Sequence, residues 1–180
     1  MLEPNDDSEL VARCLRGERS AFEPLVKRYE RVLFSVALRL VGNYEDARDA
    51  TQNAFVAAYE HLETFDPERK FFSWIYRILV NESLNLRRAQ RTAEPLSESL
   101  PTESGAFDAV AASEEHDRIQ RALLSLSAEY REVVVLRHFA DLSYDAIAEA
   151  VGVPEKTVKS RLFSARKRLG ALLAPGKVDG

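Results

Sequence analysis

Between Val153 and Leu169 the chain reads VPEKTVKSRLFSARKRL, six Lys or Arg against one Glu in a chain of formal net charge −4. Lys156, Thr157, Lys159, Ser160, Arg161 and Phe163 bring cations, hydroxyls and one aromatic ring into a short span. Lys and Arg bind phosphates or guanine edges, hydroxyls reach bases and backbone, and an aromatic ring meets a thymine methyl. The chemistry on offer is non-covalent recognition of nucleic acid. A merely solvated helix face would carry the same charges, so the elements that position these residues must decide.

At about 100° per residue, Val158, Leu162, Ala165, Leu169 and Leu172 fall on one apolar stripe. Lys156, Lys159, Ser160, Phe163, Ser164 and Lys167 lie opposite, and Arg161, Arg166 and Arg168 flank the stripe. Upstream, Ile147, Ala148, Val151, Gly152 and Val153, together with Val158, have the spacing of a helix-turn-helix. Ala148 is small where two helices cross, Gly152 supplies the turn, and the apolar residues pin the pair. The apolar residue expected at position 161 is replaced by Arg161, with Leu162 beside it, which reads as a slight rotation of the second helix. Pro154 reads as a first-turn residue and Ser127 and Ser143 as N-caps. In such a motif the N-terminal half of the second helix enters the major groove. With about four phosphate contacts, log affinity would fall with log salt at a slope of roughly −3.6.

Two further clusters lie earlier. In DARDATQNAF, Asp46, Asp49, Gln52 and Asn53 sit on successive turns or adjacent faces of one helix, where polar side chains can meet a partner's basic surface. In FDPERKFFSWIYRILVNESLNLRR, Arg77, Asn81, Asn85 and Arg88 form a polar stripe, with Trp74 at its edge and Phe72, Ile75, Leu79 and Leu86 on the apolar face. Arg, Asn and an aromatic suit a strand that is bent or opened, although Trp74 fits a core role better than a stacking one. Helical periodicity runs through 20–41, from about 44 to 62 and from about 72 to 88; Gly42-Asn43 and the turn TFDPERKFF separate these helices. Strand signals are nearly absent.

The composition, 46% hydrophobic and 30% charged over 180 residues, suits one globular domain or two small ones. Between Thr92 and Asp117 there are seven acidic residues and no Lys or Arg, in a Pro-, Ser- and Thr-containing stretch that reads as a flexible linker. The expectation is an all-α chain of two small helical domains, 8–90 and 115–174, joined by an acidic linker at 91–114. No apolar run is long enough to span a bilayer and the acidic N-terminus has no signal-peptide core. One cysteine, Cys14, and three scattered histidines offer neither disulfide nor metal cluster. No cofactor is expected, and the reducing cytoplasm is the expected compartment. Without a phosphate-binding Gly loop or a nucleophile–base set, an enzyme is not expected.

Taken in this order, DARDATQNAF, the FDPERKFF…NLRR segment and TVKSRLFSAR resemble a bacterial RNA polymerase sigma factor of the extracytoplasmic-function group, over roughly residues 10–172. The resemblance implies that Asp46, Asp49, Gln52 and Asn53 meet the clamp helices of core RNA polymerase, though Asn53 stands where the family usually has an acidic residue. It implies that 65–71 and the stripe of Arg77, Asn81, Asn85 and Arg88 recognise and melt the −10 element and capture a flipped non-template base. It assigns −35 recognition to Lys156, Thr157, Lys159, Ser160, Arg161 and Phe163; Lys156 stands where Gly is common. The linker would thread into the polymerase cleft, and an anti-sigma partner would mask both domains. Two alternatives share the C-terminal helix: a helix-turn-helix regulator that works without core polymerase, and a helical protein that binds an acidic partner.

Overall fold

The structure is a computed structural model that describes residues 4–93 and 109–174, with side chains described for 7–83 and 114–174. Among the described residues there are eight α-helices and no strand: α1 (Pro4–Leu15), α2 (Glu23–Val41), α3 (Tyr44–Glu60), α4 (Phe71–Ala93), α5 (Ala109–Leu124), α6 (Ala128–His138), α7 (Tyr144–Val151) and α8 (Glu155–Leu173). Short 3-10 turns cover Arg19–Phe22 and Leu62–Thr64. The all-α expectation holds. Helix α1 was not anticipated, and α5 begins inside the stretch read as linker, where AVAAS supplies strong helix formers. Most of the acidic stretch, 94–108, and the tail 175–180 lie outside the described residues.

In the N-terminal half, α2 buries Leu25, Leu33, Val36 and Ala37 completely. Against it α3 sets Ala47, Ala50, Ala54 and Ala58, all fully buried. This row of small side chains lets α2 and α4 approach closely from either side. Helix α4 adds Phe72, Ile75, Tyr76 and Leu79. Gly42 ends α2 in the left-handed region, φ +95°, with its N–H on the Leu38 carbonyl at 2.9 Å. A Cβ at Gly42 would come within 2.8 Å of Leu124 Cδ1 on α5, a side-chain tip that would have to shift; the positive φ is what demands glycine. In the C-terminal half Val133, Val135, Leu136, Ile147, Val158, Leu162 and Ala165 form the core of α6, α7 and α8.

The two halves pack on one another, a contact that a tether alone does not predict. Buried Arg131 on α6 donates to the carbonyls of Leu123, Leu124 and Leu126 in its own half and to that of Leu40 at the end of α2. Gln120 on α5 accepts from Arg39 at 3.0 Å and donates toward the carbonyls of Leu38 and Arg39, both at 3.3 Å. The Arg39 guanidinium lies 4.7 Å from the centroid of the Phe139 ring. Burial holds the Arg39 guanidinium below its ordinary pKa.

Candidate nucleic-acid interface

The helix-turn-helix is built as its residues dictate. Gly152 sits at φ +70°, and the N–H groups of Gly152 and Val153 bond to the Ala148 carbonyl at 2.9 and 3.1 Å, closing the end of α7. Pro154 is the N-cap of α8 rather than its first helical residue, and its carbonyl accepts from Thr157 and Val158. Ser127 and Ser143 occupy the N-cap positions of α6 and α7, but neither hydroxyl accepts from a first-turn N–H, so the capping bond read from the sequence is not made. Val158, Leu162 and Ala165 are buried as the wheel requires, and Leu169 is half-buried. Leu172 is 51% exposed, so the apolar stripe stops a turn early.

The outer face of α8 presents Lys156, Lys159, Ser160 and Phe163, with Phe163 73% exposed, and Thr157 half-buried beside them. Lys159 pairs with Glu155 one turn back at 2.5 Å, which raises its pKa, and lies 5.7 Å from the Tyr144 ring. Arg161 is placed differently from the other cations. Its side chain is 20% exposed and bonds Glu129 on α6 at 3.2 Å, on the flank facing the domain rather than the outer face. The apolar position that the motif expects there is filled by an arginine that turns back to a carboxylate.

On α3, Asp49, Gln52 and Asn53 are exposed along one edge, and Asp49 lies 3.6 Å from Arg48. Asp46 is half-buried and does local work: its N–H bonds the Asn43 side-chain oxygen at 2.8 Å, the N-cap of α3, and its carboxylate accepts from the Asn43 side-chain Nδ2. Beside this edge a groove of about 590 Å³ runs between α2 and α3, lined by the apolar Val26, Phe34, Tyr44, Phe55 and Val56 and by Glu30, Arg31, Arg48, Thr51 and Gln52. Helical periodicity does not mark this groove. Its signal was the outward apolar pair Tyr44 and Val56, 61% and 51% exposed.

On α4, Asn81 is exposed. The guanidinium of Arg77 reaches across to the other half, onto the last carbonyls of α7. Asn85 and Arg88 lie on α4, but their side chains fall outside the described residues. Trp74 is half-buried, its ring centroid 5.5 Å from both Phe65 and Phe71, which makes it part of the packed cluster as its apolar neighbours suggest. The intervening residues 66–70 are exposed; their turn is fixed by Asp66, whose carboxylate accepts from the Glu68 N–H at 3.0 Å. The α3 edge and the α8 face thus lie on separate halves, and the α4 stripe meets the C-terminal half through Arg77. Among the described residues no cluster of His, Cys, Asp and Glu is placed to hold a metal, and no helix is long and apolar enough to cross a membrane.

Comparison with known proteins agrees with this layout. Residues 25–93 match Sigma-70 region 2 and residues 116–169 match Sigma-70, region 4. The chain is 32% identical to the ECF RNA polymerase sigma-E factor of Escherichia coli K12, over 97% of this chain and 98% of that one. It is 31% identical to the ECF RNA polymerase sigma factor SigW of Bacillus subtilis, over 88% and 92%. Among solved structures it is similar to CnrH in complex with the cytosolic domain of CnrY, with TM-score 0.75, 32% identity and 93% and 97% coverage. It is also similar to the sigma factor RpoE of Bartonella quintana in complex with the anti-sigma factor NepR, with TM-score 0.67, 28% identity and 88% and 98% coverage.

Proposed function

The chain belongs to the sigma-70 family of RNA polymerase sigma factors, in its extracytoplasmic-function group, and on that premise we propose how its surfaces divide the work of promoter recognition. It is an initiation factor that associates with core RNA polymerase and directs promoter-specific transcription, and it takes an anti-sigma partner. We place it in the cytoplasm, where core polymerase works, and assign it no covalent chemistry of its own.

Core polymerase docks on the α3 edge of Asp49, Gln52 and Asn53 and on the neighbouring apolar groove. A polar rim around an apolar centre is how protein interfaces are composed. Asp46 serves this surface by holding the Asn43 cap of α3, which orients the edge. The −10 element meets Asn81 and Arg77 on α4, continuing to Asn85 and Arg88, and the exposed 66–70 turn takes up an unpaired base; unstacking costs a few kcal/mol, which the new contacts offset. The −35 element meets Lys156, Thr157, Lys159, Ser160 and Phe163 on α8. Arg161, tied to Glu129, acts there by shaping the helix rather than as a free phosphate ligand. Each half alone is a weak binder; held together by polymerase, each raises the effective concentration of the other at the promoter.

The observation that carries this reading is the exposed Asp49–Gln52–Asn53 edge beside an apolar groove, on a different half from the cationic face of α8. The test is a titration of purified bacterial core polymerase with the protein and with an Asp49→Ala/Gln52→Ala variant. Tight binding that the variant loses supports the assignment. No binding to a competent core enzyme would favour a regulator that acts without polymerase.

A further inference from the structure

Helix α1, invisible to the sequence reading, makes its contacts at a telling place. Asp7 is 6% exposed, and its two carboxylate oxygens are spoken for: one accepts from the Arg28 guanidinium, the other from the Tyr29 hydroxyl. One residue on, the Ser8 hydroxyl donates to the carbonyl of Pro67 at 3.2 Å. Pro67 lies in the exposed turn between Phe65 and Phe71, the segment assigned above to the unpaired base.

The Tyr29 ring, fixed at its hydroxyl by Asp7, packs on both residues that open α4. Its centroid is 5.6 Å from Phe71 and 5.9 Å from Phe72. Phe71 in turn meets Phe65 at 5.6 Å, and Phe65 meets Trp74 at 5.5 Å. Besides the Asp66–Glu68 bond within it and the contacts of Lys70 with Glu149 and Asp145, the turn is held by Phe65 in the ring cluster, Pro67 by Ser8, and Phe71 by Tyr29. The last two anchors trace back to adjacent residues of α1. Burial, then the bond to Asp7, pushes the Tyr29 hydroxyl well above the ordinary tyrosine pKa, so it remains a donor throughout the working range.

A fold that needed only stability would not require this arrangement. A buried carboxylate is costly unless paired, and an apolar residue at position 7 would cover the same core. What Asp7 adds is direction: it fixes the height and tilt of Tyr29, hence of the Phe71 platform at one end of the turn. Capture of a base in a pocket depends on such preorganisation, because a misplacement of about 1 Å can cost on the order of a hundredfold.

We infer that Asp7, Ser8 and Tyr29 are positioning residues for the 65–71 turn, so that α1 sets how strictly the protein selects the unpaired −10 base. The inference rests on the proposed role of that turn.

The experiment uses holoenzyme reconstituted with bacterial core polymerase and a promoter that it selects from randomised DNA. The non-template strand carries an abasic site at each −10 position in turn. Wild type is expected to show one intolerant position. Tyr29→Phe, which keeps the ring and removes the anchor, and Ser8→Ala are expected to reduce that discrimination about tenfold. Core binding and −35 duplex binding stay within about twofold of wild type. A purely structural role would instead lower thermal stability and all binding together, with the abasic profile preserved. Discrimination kept in full by both variants overturns the positioning role alone. Wild type with no intolerant position overturns base capture by this turn, and the positioning role with it.

Discussion

The guanidinium of Arg77 on α4 donates to the main-chain carbonyl of Glu149 at 2.5 Å, and its Nε to that of Ala150 at 3.3 Å. These carbonyls end α7, where acceptors lack intrahelical donors and the helix dipole is negative. To an arginine they resemble a phosphate. The bond that docks the C-terminal half onto α4 therefore engages the Nε and one terminal nitrogen of a group assigned to −10 DNA, so docking and DNA compete for the same side chain.

Arg77→Ala should accordingly weaken docking of the two halves by about 1 kcal/mol. Lys70, whose Nζ lies 3.5 Å from Asp145 and whose N–H bonds Glu149 at 3.2 Å, keeps part of the contact. Fluorophores placed on α3 and α8 of the free protein should report a longer, broader distance in the variant. An unchanged distribution would remove Arg77 from the interface.

Arg131 is the stronger fastener. Its four bonds to carbonyls of Leu40, Leu123, Leu124 and Leu126 are made by a 6% exposed side chain. Arg131→Met would take this donor from the Leu40, Leu124 and Leu126 carbonyls, while that of Leu123 keeps the Leu126 N–H at 3.1 Å, costing about 3 kcal/mol in urea denaturation. Arg131→Lys should recover little of that, because an ammonium cannot present the planar fork that reaches several carbonyls at once. A lysine variant as stable as wild type would contradict the geometric account.

How much of this was legible depended on whether a residue obeyed its helix's period. The buried face of α2 and the Val158–Leu162–Ala165 stripe follow apolar spacing and were readable. So was the turn at Gly152, since only a left-handed residue closes α7 there. Arg39, Gln120 and Arg131 break the period, being polar yet buried, so the packing of one half on the other was not readable from it. Helix α1 buries Leu10 and Val11, but its remaining inward residue, Asp7, is a carboxylate whose partners lie 21 and 22 positions away, so the apolar period is too short to mark a helix. Among the site residues, the exposed cations of α8 were legible by type. The inward turn of Arg161 was not, because it depends on Glu129, distant in sequence.

Glu132 on α6 makes stability depend on pH. Burial raises its carboxyl above the ordinary value, with Glu129 adding to the shift and Arg161 and Arg131 opposing it; Tyr76 on α4 lies within its field. A raised acid favours the folded state while protonated. Its contribution is full below the unfolded value of about 4.3 and is lost as pH rises through the higher folded value. Glu132→Gln, neutral throughout, should match wild type near pH 3.5 and exceed it near pH 7.5. Denaturant midpoints at the two pH values measure this. A variant with equal or lower stability at pH 7.5 would show that the carboxylate is adequately paired.

Phe163 and Arg161 are two residues apart and should respond in opposite ways. Phe163 is 73% exposed in the middle of the cationic face, so Phe163→Ala should leave unfolding free energy within about 0.5 kcal/mol of wild type. Its loss should nonetheless weaken −35 duplex binding by holoenzyme about fivefold, by removing an apolar base contact. Lys156→Gly deletes an exposed cation at the start of α8, and should flatten the log–log salt slope by about 1. Arg161→Ala removes a cation already committed to Glu129, so the salt slope should hold while the packing of α8 on α6 loosens. Affinities measured over a salt series with the three variants separate these outcomes. A slope that drops for Arg161→Ala as much as for Lys156→Gly would mean that Arg161 leaves Glu129 to take a phosphate when DNA binds.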